Sequence, residues 1–357
     1  MKQTVRNIFA VGNTARGSWS LYDSVLQDLD RVFLLAGAPG SGKSALVKSI
    51  GDELLHQGYD VEWIHCPLHP ETVDGVIFPQ LRTGIVDASA ARARQPIAPY
   101  LLETHVDLSQ GCRFSGVPKD QIVRLNKEIG AQLQTAYHTF AEALKIHDEW
   151  EHIYITNMNY DKANEVTREM LQLMLGDQPY GKRSRVRHMF FGAATPNGAV
   201  DHIQNLTAAI EKRYFIKGRP GSGKSTMLKK IAAEAEKRGY DVEVYHCGFD
   251  PNSLDMVMIP ERSVAIFDST APHEYFPDRA ADEIVDMYAR AIQPGTDETY
   301  ANELAAVKER YSDKMREATA CLANAKQLRE ELIAHYQPAH DPSHVETIKQ
   351  EILRQLA

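Results

Sequence analysis

The sequence predicts an α/β protein built from two similar units, each a mainly parallel sheet flanked by helices and extended by a helical hairpin. Three observations carry that expectation. The chain repeats itself at an offset of 181 residues, taking Phe9 to Phe190. Within each copy, short β-like runs alternate with segments of helical apolar spacing. Beyond each copy lies a long stretch of helical periodicity with few breakers.

The repeat aligns without a gap from Phe9–Ala90 to Phe190–Ala271. Phe9, Thr14 and Gly17 return as Phe190, Thr195 and Gly198. Gly58-Tyr59-Asp60-Val61-Glu62 returns as Gly239-Tyr240-Asp241-Val242-Glu243, and His65-Cys66 as His246-Cys247. Such spacing marks a duplication, because shared composition alone would not preserve it.

Each element follows from local pattern. A short apolar segment at Phe9 (Phe190) is read as leading into a helix. Val32–Ala36 (Tyr214–Lys217) is a compact β-like run that ends at glycine. Ala45–Leu55 has helical apolar spacing and stops near Gly58. Asp60–Cys66 reads as the next strand, and Val76–Phe78 and Thr83–Val86 as two further short runs. Ile122, Leu125, Ile129, Leu133, Phe140 and Leu144 then recur at helical intervals, as do Leu304, Val307, Tyr311, Met315, Leu322, Ala325 and Leu332. Each long helix is followed by a turn and another helix, hence the expected hairpins, read either as structural cover or as a lid or docking arm. The first unit is placed at 1–178, with its core at about 5–108 and its hairpin at about 118–176. A connection at 179–187 leads to the second unit at 188–357, with its core at about 188–290 and its hairpin at about 298–357.

Composition narrows the classes, though a local basic groove for nucleic acid stays open. Hydrophobic content of 43% and charged content of 25% suit a folded globular chain. The formal net charge of -8 argues against a nucleic-acid coat. Cys66, Cys112, Cys247 and Cys321 are scattered without a C-x-x-C pair, as expected of reduced thiols. No apolar run approaches the roughly 18 residues of a membrane span. The only continuous apolar run near the start, Ile8–Val11, is too short for a signal core, so the expected compartment is the cytoplasm.

The chemistry is concentrated in two glycine-rich loops. Gly37-Ala38-Pro39-Gly40-Ser41-Gly42-Lys43-Ser44 and Gly218-Arg219-Pro220-Gly221-Ser222-Gly223-Lys224-Ser225 both fit G-x-x-x-x-G-K-[ST], and Thr226 follows the second. Glycines let successive N–H groups turn inward onto phosphate oxygens, and the helix behind adds the positive end of its dipole. Two such loops, each between a predicted strand and a predicted helix, imply two P-loop NTPase units that bind ATP with Mg²⁺. Lys43 and Lys224 would reach the β- and γ-phosphates, and Ser44 and Ser225 would ligate the metal.

Asp87 and Asp268 end apolar runs at matched positions and are the expected acidic partners of Mg²⁺, the Walker B residues. No glutamate follows either one; Ala88 and Ser269 stand there. In the second unit His273 or Glu274 is therefore the candidate to accept a proton from water, unless His273 stabilises charge or lies on the surface. The first unit carries Arg92 and Arg94 instead, read as phosphate contacts or as a solvated basic surface. Asp74 and Asp255 repeat ahead of these runs, as bases for a substrate hydroxyl or as turn caps. Adjacent His65-Cys66 and His246-Cys247 point to opposite faces of a strand, which disfavours a shared zinc ion.

Together the motifs G-x-P-G-S-G-K-S, G-Y-D-V-E-x-x-H-C, D-x-V-x-x-P and Thr270-Ala271-Pro272-His273 resemble those of an uncharacterised bacterial family of tandem-duplicated P-loop ATPases. The opening Phe9–Gly17 segment is similar to that family's as well. The resemblance spans both repeats and implies ATP binding, with hydrolysis inferred from motif; it implies no settled substrate. The first repeat departs from T-A-P-H at Ser89–Arg92, which puts chemistry there in doubt. Asn159-Tyr160-Asp161-Lys162 has the wrong order for a guanine signature, so ATP is preferred to GTP. The expected activity is a Mg-dependent ATPase whose nucleotide state moves the helical arms or a protein partner, with Lys224, Ser225 and Asp268 as its core set. The alternatives are a small-molecule or nucleotide kinase using Asp255 or Asp74 as base, and a non-catalytic ATP-dependent switch.

Overall fold

The computed structural model describes residues 3–90, 102–177 and 179–356. In the first half the elements are β1 (Val5–Ile8), β2 (Val11–Thr14), β3 (Gly17–Ser20), α1 (Tyr22–Val25), β4 (Arg31–Ala36), α2 (Lys43–His56), β5 (Val61–His65), β6 (Val73–Phe78), β7 (Thr83–Asp87), β8 (Glu103–Asp107), α3 (Lys119–Thr156) and α4 (Tyr160–Leu175). The second half repeats the plan as β9 (Val186–Phe190), β10 (Gly192–Thr195), β11 (Gly198–Asp201), α5 (Ile203–Leu206), β12 (Lys212–Lys217), α6 (Lys224–Lys237), β13 (Val242–His246), β14 (Leu254–Ile259), β15 (Val264–Asp268) and β16 (Glu283–Asp286). It ends with α7 (Met287–Ala291), α8 (Thr296–Thr299), α9 (Ala301–Tyr336) and α10 (Pro342–Leu356).

Each half holds a six-stranded sheet, ordered β1-β5-β6-β7-β4-β8 and β9-β13-β14-β15-β12-β16. The sheets are mixed. β6 and β14 run antiparallel to both neighbours, while the other pairings are parallel. Connection length explains the exception. Segments 66–72 and 79–82 are shorter than the dozen or so residues that a parallel crossover needs. β4 is apolar on both faces because α2 covers one of them: Leu46, Val47, Ile50 and Leu54 pack on Phe33, Leu35, Val61 and Val76.

Three sequence expectations need correction. The segment after Phe9 is a β-hairpin, β2–β3, and the helix behind it is only α1. Thr14 and Gly17 form the turn, with the Thr14 hydroxyl donating to the Gly17 carbonyl at 2.7 Å. The predicted connection at 179–187 is shorter than expected, since β9 begins at Val186. The third correction concerns the hairpins, because the long helices cross between halves.

α3 lies antiparallel along α9. Leu125 meets Leu332, Ala136 and Phe140 meet Ala318 and Leu322, and Tyr154 meets Leu304. The helices beyond are exchanged. α4 places Val166, Met170 and Met174 on Met227 and Ile231 of the second core, whereas α10 places Ile348 and Ile352 on the first core beside Leu46 and Ile50. α3 has 38 residues, and at about 1.5 Å per residue it outruns the width of one small domain. A chain leaving its far end arrives over the other half.

The sheets face one another across an approximate twofold relation. Phe9 N–H donates to Phe190 O and Phe190 N–H to Phe9 O, both at 3.0 Å. Around this point equivalent contacts come in pairs. Arg6 donates to Glu243 at 2.7 Å and Arg187 to Glu62 at 3.1 Å. The Asn7 N–H bonds Asn205 Oδ1, and the His188 N–H bonds Ser24 Oγ. Ile8, Tyr22 and Val25 share one apolar cluster with Met189, Phe191 and Ile203, so the interior is continuous between halves.

Glu62 is buried against Arg187, with Arg6 at 3.6 Å. Replacing it with alanine should lower the unfolding free energy by about 3 kcal/mol, read from the urea midpoint. For the Glu243 carboxyl, burial acts to raise the pKa, but the charge and hydrogen bond of Arg6 outweigh it and hold the group at about 2. Its contribution is therefore present above the ordinary value of 4.5 and is lost as pH falls from there towards 2. Unfolding midpoints should drop across that window, and Glu243→Gln should flatten the drop.

Candidate functional site

Both glycine-rich loops sit where a buried central strand hands over to a helix. β4 ends at Ala36 and α2 starts at Lys43; β12 ends at Lys217 and α6 starts at Lys224. Gly42 and Gly223 cap these helices in the left-handed region, at φ 88° and 87°. A helix begun this way leaves its first N–H groups pointing into the loop. The Ser41 and Ser222 hydroxyls, at one matched position, are buried without a hydrogen-bond partner among the described residues. Buried polar atoms are normally satisfied, so two at equivalent places mark a cradle shaped for a polar guest.

The loop lysines turn inward. Lys43 Nζ donates to Gly37 O at 2.7 Å and lies 3.6 Å from Asp87 Oδ2. Lys224 Nζ donates to Arg219 O at 3.1 Å and lies 3.5 Å from Asp268 Oδ2. Each aspartate ends the strand beside its loop strand, and its Oδ1 accepts from the N–H and hydroxyl of Ser89 or Thr270. Its Oδ2 is left facing the lysine. Ser44 Oγ and Ser225 Oγ accept from the Val73 and Leu254 N–H groups, which ties each helix start to the strand carrying Asp74 or Asp255.

Asp255 is buried beside Asp268, and Asp74 is half-buried beside Asp87. Burial raises both to about 6, the charge of Asp87 or Asp268 adds to the rise, and a nearby cation opposes it. That cation is Arg329, from the second half, at the first site and His273 at the second. In each half the two carboxylates thus act on one another, and the serine hydroxyl is tied to the residue before the second of them; these are hard oxygen groups of the kind Mg²⁺ takes.

The predicted second-half candidates separate. His273 sits beside Asp255 and Asp268, whereas Glu274 is exposed and lies 3.8 Å from Lys217. Thr226 is exposed on the first turn of α6. The pattern did not show Asp201, whose carboxylate accepts from His273 Nδ1 and from the Tyr275 hydroxyl, each at 2.8 Å. Its counterpart in the first half is Ser20. Arg92 and Arg94 lie outside the described residues. His65 and His246 use their ring nitrogens on Pro70, Asn7, Pro251 and His188, and burial drives the neighbouring Cys66 thiol up to about 12.

The exchanged helices reach both loops. A Cβ on Gly221 would stand 2.5 Å from the Glu151 carbonyl of α3, and one on Gly40 would stand 3.0 Å from Ile333 of α9. Only glycine permits so close an approach. Burial raises the pKa of the Glu151 carboxyl, and the Gly221 N–H and the charge of Lys224 act against that rise. In the first half a cavity of about 390 Å³ opens between Gly40, Ser41, Gly42 and Leu46 and the other half's His340 and Val345. No periodicity singles out Glu151 or Arg329, which look like ordinary charged helix residues. No family model, curated protein or solved structure matches this chain. Among the described residues, no helix is long and apolar enough to cross a membrane.

Burial lowers the His273 pKa, but the Asp201 hydrogen bond and the charges of Asp255, Asp201 and Asp268 raise it above the ordinary 6.5. The contact therefore stabilises the fold below 6.5 and weakens as pH rises through the His273 midpoint. An NMR titration should place that midpoint above 6.5, and Asp201→Asn should bring it below.

Proposed function

We propose that the chain binds Mg-ATP at both glycine-rich loops and hydrolyses it, so that nucleotide state moves the exchanged helices. The observation that carries this reading is that each loop, with its inward lysine and orphaned serine hydroxyl, lies under a helix from the other half. A phosphate group fits the cradle chemistry, because the loop offers N–H groups, a lysine and a helix start to an anion. Ser44 with Asp87, and Ser225 with Asp268, would hold Mg²⁺. The ion would neutralise charge between the β- and γ-phosphates and ease the raised carboxylate pair. His273, held by Asp201, is the second-site residue that would orient or deprotonate the attacking water.

Coupling to the helices follows from Glu151. Its backbone packs on Gly221 and its carboxylate feels the charge of Lys224, so a bound phosphate and α3 would compete for one cation. The expected ligands are therefore ATP and a protein or small-molecule partner that reads the helix position. A phosphotransferase reading has one observation in its favour: Asp255, at about 6, suits a base that accepts a hydroxyl proton near neutral pH.

Lys43→Ala and Lys224→Ala, made separately, should each weaken Mg-ATP binding at their own loop by roughly ten- to a hundredfold, the worth of a charge-assisted hydrogen bond. Calorimetry and phosphate release on each variant check this, and unchanged binding in both would sink the reading. Turnover that needs an added hydroxyl acceptor would favour the kinase, and tight binding without turnover a switch. Glu151→Gln should tighten Mg-ATP binding at the second loop by roughly tenfold, because removing the carboxylate charge leaves Lys224 to the phosphates.

A further inference from the structure

We propose that Arg329, carried on α9 from the second half, contacts the terminal phosphate of a nucleotide seated in the first glycine-rich loop. The first site is then completed by the opposite half of the chain. This rests on the reading above that the loops bind nucleoside triphosphates, and it adds a residue to the first site that no motif supplies.

The placement is fixed on both sides. One turn beyond Arg329, Ile333 touches Gly40 of the loop. One turn before it, Ala325 is buried with Cys66 and Leu68, and Lys326 binds Glu71 at 2.6 Å. The adjacent Glu330 lies 3.9 Å from His69. Arg329 is therefore held between the loop and segment 66–71, where its charge acts on Lys43, His69 and Asp74. It is half-buried, yet it makes no hydrogen bond or ion pair among the described residues, while Lys326 and Glu330 beside it are both engaged.

A guanidinium held beside a second cation, with its donors unspent, is arranged for an anion between them. Arginine presents a planar fork that matches phosphate oxygens in pairs, whereas lysine offers only a point charge. The second loop provides the contrast. Glu151 takes the place of Ile333 there, and one turn earlier stands His147 instead of arginine. His147 is packed against Trp150, Phe249 and Tyr311, and burial with the charge of Lys224 lowers it to about 4. That ring is neutral at physiological pH, and the extra cation of the second site is His273 from its own half. The arrangement assigns Arg329 to the first site alone.

The test uses the full chain with Lys224→Ala, so that binding reports on the first loop. Mg-ATP and Mg-ADP affinities and phosphate release are compared among this parent, Arg329→Ala and Arg329→Lys. Arg329→Ala should weaken Mg-ATP by about tenfold, leave Mg-ADP unchanged, and slow phosphate release by about a thousandfold. Arg329→Lys should recover part of the ATP affinity but little of the turnover. A parent that binds ATP without turnover still reports through the affinity split. Equal losses for ATP and ADP would mean that Arg329 merely supports the fold, and unchanged values that it is a surface charge; either overturns the proposal. A parent that binds neither nucleotide while remaining folded removes the nucleotide reading itself, and this proposal with it.

Discussion

Two peptide groups, at Phe9 and Phe190, exchange hydrogen bonds at the point where the two halves of the chain meet, and much of the molecule is arranged around that contact. Strand edges carry unpaired N–H and C=O groups that must find partners. Here the end of β1 finds the end of β9, and the flanking positions repeat the contact with side chains: Arg6 on Glu243, Arg187 on Glu62, Asn205 and Ser24 on the opposite backbone. Because the partners are equivalent residues of a duplicated sequence, one geometry satisfies both directions at once. This is the logic of a symmetric dimer built within a single chain.

The long helices depend on that geometry. With the sheets fixed face to face, a helix rising from one core has the other core at its far end, and its apolar residues find the matching helix before they find their own sheet. Burial of Ala136, Phe140, Ala318 and Leu322 holds the crossing, while α4 and α10 close over the opposite cores. Each half therefore lacks part of its own cover. Separating the halves would expose Met227 and Ile231 on one side and Leu46 and Ile50 on the other, so apolar burial opposes separation.

The exchange also makes the two loops unequal. Duplication kept the inward lysine, the strand-end aspartate, the second carboxylate and the unpartnered serine in both. It did not keep what comes to them from outside. The second loop meets Glu151 and has His273 braced by Asp201, whereas the first meets Ile333, and the charge of Arg329 acts on its Asp74. A close pair of carboxylates shielded from water is costly without a cation nearby, and beyond the shared loop lysine the two sites draw on different residues.

What was legible in the sequence was local. The 181-residue offset, the strand–loop–helix order and the inward role of the matched Lys and Asp follow from spacing along a few turns of chain. The mixed sheet could have been inferred from the short connections on either side of β6; the β2–β3 hairpin was harder, since a short apolar segment reads equally as strand or helix. Contacts between distant residues were not legible. Asp201 stands far from His273 in sequence, and Glu151 and Arg329 follow the same helical periodicity as their solvated neighbours. Sequence by itself determined the two units and their glycine-rich loops, because backbone turns and helix starts depend on adjacent residues. Only the tertiary structure decided which half covers which loop, because that depends on where a 38-residue helix ends in space.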